Sequence, residues 1–182
     1  MNHYTIYELL WLFFLYSFGG WILETVLATL KQKKFANRGL VNGPYCVMYG
    51  FTAVLMTVGL QELTGFWLFL FAAVYATVVE WIGGHLMEWI FKERWWDYSN
   101  VKWNLDGYIC FPVSVIWGVL GFVTMRWGAP LLIGVFRMIP MTPAHLVIWI
   151  LSGILILDVA ATLCILSGRT RRMPQWQGVD SW

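Results

Sequence analysis

Residues 66–91 read FWLFLFAAVYATVVEWIGGHLMEWIF, a run whose only acidic side chains are Glu80 and Glu88 and which holds no lysine or arginine until Lys92 and Arg94 close it. About 20 apolar residues rising 1.5 Å each cross a hydrocarbon core of about 30 Å. In lipid only a helix or a closed barrel satisfies every backbone N–H and C=O, so this run predicts a transmembrane helix and frames the rest of the chain. The composition agrees. The 182 residues are 59% hydrophobic and 18% aromatic, with only 12% charged, where a soluble domain carries about a quarter charged residues.

Working outward, further apolar runs lie at 9–30, 44–63, 108–126 and 143–167. With 66–91 they predict an all-α integral membrane protein of five transmembrane helices, a single polytopic domain over 1–182 with a tail at 168–182. Between the fourth and fifth runs, 129–139 is apolar but too short to cross. Bounded by Pro130 and Pro140, it predicts a surface-lying or re-entrant piece. The opening residues lack the basic stretch of a secretory signal, so the first helix is expected to remain in the mature protein.

Charge placement predicts the threading. Lys31, Lys33, Lys34 and Arg38 follow the first run, Lys92, Arg94 and Lys102 the third, Arg126 and Arg137 the fourth, and Arg169, Arg171 and Arg172 the last. Five alternating spans put all but Arg126 and Arg137 on one face, which the positive-inside rule assigns to the cytoplasm. The amino terminus is then outside and the tail cytoplasmic, in the cytoplasmic membrane. A net charge of +2 excludes a nucleic-acid reading. Trp11, Trp67, Trp89, Trp95, Trp96, Trp103 and Trp127 fall near predicted boundaries, where amphipathic rings favour the headgroup layer.

A shift of 64 residues lays Gly19-Gly20-Trp21-Ile22-Leu23-Glu24 on Gly83-Gly84-His85-Leu86-Met87-Glu88, and Asn42-Gly43-Pro44-Tyr45-Cys46 on Asp106-Gly107-Tyr108-Ile109-Cys110. That alignment divides the chain into repeats at 9–63 and 66–126, two parallel hairpins plus one added helix at 143–167.

Acidic groups inside a span cost roughly 2.5–3.5 kcal/mol at its centre on insertion scales, so they face a bundle interior or a wet cavity. Glu80 and Asp158 sit at similar depth and could share a proton or cation, or each make a structural hydrogen bond. Glu24 and Glu88 each follow the second glycine of a Gly-Gly pair by four residues, on the same helix face, and either line a pathway with the first pair or meet nearby loop bases. His85, beside them, reads as a packed, hydrogen-bonded histidine. Cys46, Cys110 and Cys164 lie in or beside apolar segments without metal-ligand spacing and read as small buried hydrophobes. No cofactor or metal is expected. The connections are richer than linkers need: Asn37-Arg38-Gly39-Leu40-Val41-Asn42-Gly43-Pro44 predicts a defined turn, and Arg94 to Asn104, with Trp96, Asp97 and then Gly107, mixes aromatic and polar groups at headgroup level. Either could dock a cytoplasmic partner.

Asn37-Arg38-Gly39 leading to Gly43-Pro44-x-Cys46 and Tyr49-Gly50, then Glu80 and Glu88, Trp95-Trp96-Asp97-Tyr98-Ser99, Asn104-x-x-Gly107-x-Ile109-Cys110 and Trp117-Gly118, together resemble the bacterial family of ABC-transporter type IV (CmpB-like) membrane permeases, over about 19–118. The resemblance implies a membrane subunit driven by a separate ATPase. The chain itself carries no GxxxxGK[ST] phosphate loop, so it is expected not to be an enzyme. Five spans enclose little alone, so a homo-oligomer or partner membrane subunit is expected. The leading functional expectation is a transporter or permease component moving a small solute or ion, with Glu80, Asp158, Glu24 and Glu88 in the pathway. The alternatives are a lipid-modifying enzyme using Glu24, Glu88, Asp97 and His85, and a non-transporting scaffold or sensor.

Overall fold

The computed structural model describes residues 4–34, 43–92 and 94–168. Helices α1 (Ile6–Gln32), α2 (Val47–Gly59) and α3 (Gly65–Phe91) are followed by a short hairpin of β1 (Asn104–Leu105) and β2 (Ile109–Cys110). Then come α4 (Phe111–Val123), α5 (Ala129–Met138) and α6 (Met141–Gly168), with a π-turn at Thr124–Gly128 joining α4 to α5. Among the described residues, four stretches are long and apolar enough to cross a membrane: Ile6–Leu30, Gly65–Ile90, Phe111–Met138 and Met141–Thr162, while α2 is a shorter apolar helix. The chain is an all-α, multi-pass membrane protein.

Two details differ from the hydropathy reading. The second run, expected at 44–63, is helical only over the 13 residues of α2, about 20 Å long and short of a full crossing. Pro44 sits in a tight turn, the Tyr45 N–H donating to the Gly43 carbonyl at 2.9 Å, and the non-helical stretch is fastened to α1: the Cys46 N–H donates to the Ser17 carbonyl at 2.8 Å. The second concerns 129–139, which continues the preceding helix rather than forming a separate piece. Pro130 lacks an N–H and its ring crowds the carbonyl one turn back. The wider π-turn just before it absorbs that crowding without ending the helix.

The molecule divides into two compact units, one holding the described residues of Met1–Val54 and Gly128–Arg172, the other those of Leu55–Trp127. In the first, Thr5 caps α1 in a reciprocal box with Glu8. Glu8, buried, also accepts from Arg137 Nε at 2.6 Å, so the start of α1 is tied to the end of α5. Leu12 packs with Ala129 and Ile133, and Phe14 with Tyr45, Phe136, Ala144 and Ile148. Trp11 Nε1 donates to the Leu132 carbonyl at 3.0 Å.

In the second unit α3 and α4 lie side by side around Met56, Leu60, Leu68, Ala72 and Ala76, with Trp117, Phe122 and Met125 packed on them. Gly121 sets the spacing, because a Cβ there would stand 2.7 Å from that of Ala72. Such close approach is how helices associate without a hydrophobic driving force. Shifted by 64 residues, α2 falls end for end on α4, each 13 residues long. Each follows directly on a cysteine, Cys46 and Cys110.

Candidate functional site

The 92–110 connection of the second unit does not leave its helices for solvent. Lys92, left-handed at φ 59°, ends α3 and returns its N–H to the Glu88 carbonyl. From there the chain folds back along α3. Asp106 and Gly107 both have positive φ (56° and 74°), and the Tyr108 N–H closes on the Leu105 carbonyl at 3.2 Å. This is the primed turn that Asp-Gly favours between hairpin strands. Asn104 braces it, donating to the Ser99 and Val101 carbonyls at 3.3 and 2.8 Å and accepting from the Gly107 N–H at 3.2 Å.

Gly84 makes the docking possible, since a Cβ there would lie 2.6 Å from the Tyr108 ring. The Tyr108 hydroxyl donates to Glu88, and Arg94 Nε donates to the same carboxylate at 2.9 Å. Arg94 also donates to the Asp106 carbonyl at 3.1 Å, stands 3.8 Å from Asp97 Oδ1 and covers the Tyr108 ring at 4.5 Å. The Ser99 hydroxyl and backbone N–H, at 2.5 and 2.9 Å, hold the Asp97 carboxyl below its ordinary range. Trp96 Nε1 donates to the Tyr108 carbonyl at 2.8 Å. Glu88, Trp96, Asp97, Asn104 and Gly107 are therefore brought into one cluster.

Deeper along α3, Glu80 is buried and accepts from Tyr98 Oη at 3.3 Å and Trp117 Nε1 at 2.9 Å. Glu80 lies about 18 Å from the end of α3, counting 1.5 Å per residue to Lys92, so Tyr98 carries the connection well down the helix pair. His85 Nδ1 lies 2.9 Å from the Trp81 carbonyl and its ring 4.0 Å from that of Tyr108. It is hydrogen-bonded, though exposed rather than buried.

The first unit repeats the device. The Tyr49 ring packs over Gly20, and its hydroxyl donates to Glu24 at 2.7 Å. A glycine, a glutamate four residues on and a tyrosine further along the chain, Tyr49 on α2 and Tyr108 in the hairpin connection, thus recur in both units. Asp158 on α6 accepts the Gly43 N–H at 2.7 Å, which fastens the tight turn at Gly43–Tyr45. Asn37, Arg38 and Asn42 lie outside the described residues. Asp158 belongs to the first unit and Glu80 to the second. Cys110 is buried, Cys46 half-buried and Cys164 exposed.

Sequence reading picked out the carboxylates, and Arg94 as a base for Glu88, but not their aromatic donors. Tyr49, Tyr98, Tyr108 and Trp117 look like belt aromatics in a chain that is 18% aromatic. The one local signal that could have placed some of them is Asp106-Gly107 between Asn104-Leu105 and Ile109-Cys110, the pattern of a tight hairpin.

A family model described as "Putative ABC-transporter type IV" matches residues 11–163. The chain belongs to that family. The ABC-transporter type IV match takes in α6 and Asp158 as well as the motifs of the first four helices, so both units lie within its reach. No curated protein and no solved structure matches the chain.

Proposed function

We propose that this chain is the membrane subunit of an ABC-type transporter that moves a small solute or ion, with ATP hydrolysis supplied by a separate subunit and the chain itself not an enzyme. It sits in the cytoplasmic membrane with its amino terminus outside and its tail inside, and completes its pathway with a second copy or a partner membrane subunit. The observation that supports this most is the way the 94–110 connection is built. It is pinned to α3 by Glu88 and Glu80 and presents Asp97, Ser99 and Asn100 outward, all exposed, so a load applied to it reaches a buried carboxylate. A linker has no need of such anchors.

The test is purification of the solubilised chain in mild detergent with its natural partners. An ATPase that co-purifies and loses its stimulation by the chain on Asp97→Lys or Asn100→Lys is the expected result. A chain that purifies without any ATPase, in repeated detergents and lipids, removes the reading. A second reading, a non-transporting scaffold, draws support from the hydrogen bonding of Glu24, Glu80, Glu88 and Asp158 to their own unit's groups. It expects Glu80→Gln and Asp158→Asn to lower thermal stability and leave ATPase stimulation per folded molecule unchanged, whereas the transport reading expects stimulation to fall.

A further inference from the structure

One face of the 94–110 connection turns away from α3 and carries apolar rather than polar groups. Trp103 is 76% exposed, Leu105 55% and Phe111 58%. The Trp103 and Phe111 rings meet edge to face with centroids 5.7 Å apart. Trp103 adopts φ of 58°, a left-handed conformation that bulky L-residues rarely take. It is held there by its neighbours: the Trp103 carbonyl accepts the Phe111 N–H at 3.0 Å, and the Asn104 side chain locks the turn on the other flank. The backbone spends conformational strain to turn an indole outward, where packing it inward would have been the ordinary outcome.

What lies outside is indicated by the neighbouring helix. Phe111 is the first residue of α4 and of the apolar stretch Phe111–Met138, and the outer face continues through Val115, Ile116 and Val119, all exposed. In a multi-pass protein that face meets acyl chains. The Trp103, Leu105 and Phe111 patch is continuous with it, at the level where the apolar stretch begins. Lys102 beside it and Lys92 at the end of α3 are both exposed, and Trp89 on the last turn of α3 is 70% exposed. Indoles flanked by lysines, with rings toward the acyl chains and ammonium groups toward the headgroups, suit the membrane boundary.

We infer that the Trp103, Leu105 and Phe111 face is seated in the lipid bilayer at the boundary between headgroups and acyl chains, which makes the connection between α3 and α4 a membrane-docked element. The exposed polar residues of the same connection, Asp97, Ser99 and Asn100, are left for a soluble partner. The inference holds whether or not that partner is an ATPase.

The test uses the full chain labelled with 5-fluorotryptophan in nanodiscs of phosphatidylcholine and phosphatidylglycerol. The fluorine resonance missing from Trp103→Phe, or from Trp103→Tyr should the first variant fail to accumulate, belongs to Trp103. A spin label on the upper acyl chain is expected to cause loss of that resonance, while an aqueous gadolinium chelate leaves it intact. Loss to the chelate and persistence with the lipid label overturns the inference, because the indole is then in water. Persistence with both overturns it too, because protein, such as a second copy, then covers the patch.

Discussion

Glu80 is the carboxylate with the most to lose at the level of single residues, since both its oxygens accept from uncharged donors in a buried setting, Tyr98 Oη and Trp117 Nε1. Glu80→Ala removes both acceptors, and Tyr98 Oη and Trp117 Nε1 each lose a buried bond. That costs about 1–3 kcal/mol, read as a lower midpoint of thermal or denaturant unfolding in detergent. Tyr98→Phe removes one donor and is expected to cost about 1 kcal/mol. The double variant should lose less than the two singles together, because both break the same contact; strict additivity would show that Tyr98 and Glu80 do not act as a unit. In the first unit Tyr49→Phe strips the donor from Glu24 and should cost about 1 kcal/mol, with Tyr75→Phe run as a control at a ring that makes no bond to Glu24. The carboxylates were legible in sequence because a charge in lipid is expensive enough to stand out. Their partners were not, because they lie 18, 25 and 37 residues away and are neutral aromatics that a bilayer also recruits for its own boundary.

Elements show the same division between what local pattern specifies and what tertiary contact decides. Long apolar runs were readable as helices because their length follows from the membrane alone. The ends of α2 were not, because Pro44 halts the helix locally while Ser17, on another helix, receives the freed backbone. The hairpin rests on Gly107, at φ 74° with Ser99 Oγ 2.5 Å and Asp97 Oδ1 2.7 Å from where a Cβ would stand. Gly107→Ala therefore adds left-handed strain of about 1–2 kcal/mol to crowding against two side chains. It should release the 97–107 amides to rapid hydrogen exchange while the α3 and α4 amides stay protected. Asp97 gives the same element a pH dependence. Its folded pKa lies below the ordinary 3.8 because Ser99 donates to the ionised form. Its contribution is then fully present above the ordinary value and is lost as pH falls through the folded value. Exchange protection across 97–107 should be flat from neutrality to about pH 4 and decline below it, and Ser99→Ala, which leaves the backbone N–H on Asp97, should reduce that decline. A decline centred near neutrality would assign the effect to some other group.

For the whole molecule the open matter is how a chain with four long apolar stretches and one short one is threaded. α2 alone is about 20 Å long, and Cys46 just before it is bonded to Ser17, which lies about 22 Å before the end of α1, counting the 15 residues from Gln32 at 1.5 Å each. Cys46, which immediately precedes α2, is therefore held against the middle of α1 rather than at its end. If the basic residues after α1 and after α3 share the cytoplasmic face, as the positive-inside rule expects, α2 carries the chain through and Glu62 emerges outside. Cysteines introduced singly at Lys33, Glu62 and Lys102, all exposed or half-exposed connection positions, should sort accordingly in intact cells and inverted vesicles treated with a membrane-impermeant thiol reagent. Glu62→Cys is expected to react from outside only, and Lys33→Cys and Lys102→Cys from inside only. Were Lys33 and Lys102 to react from opposite faces, α2 would return to the side it entered from. The proposed orientation of everything after it, the 94–110 connection included, would then be inverted.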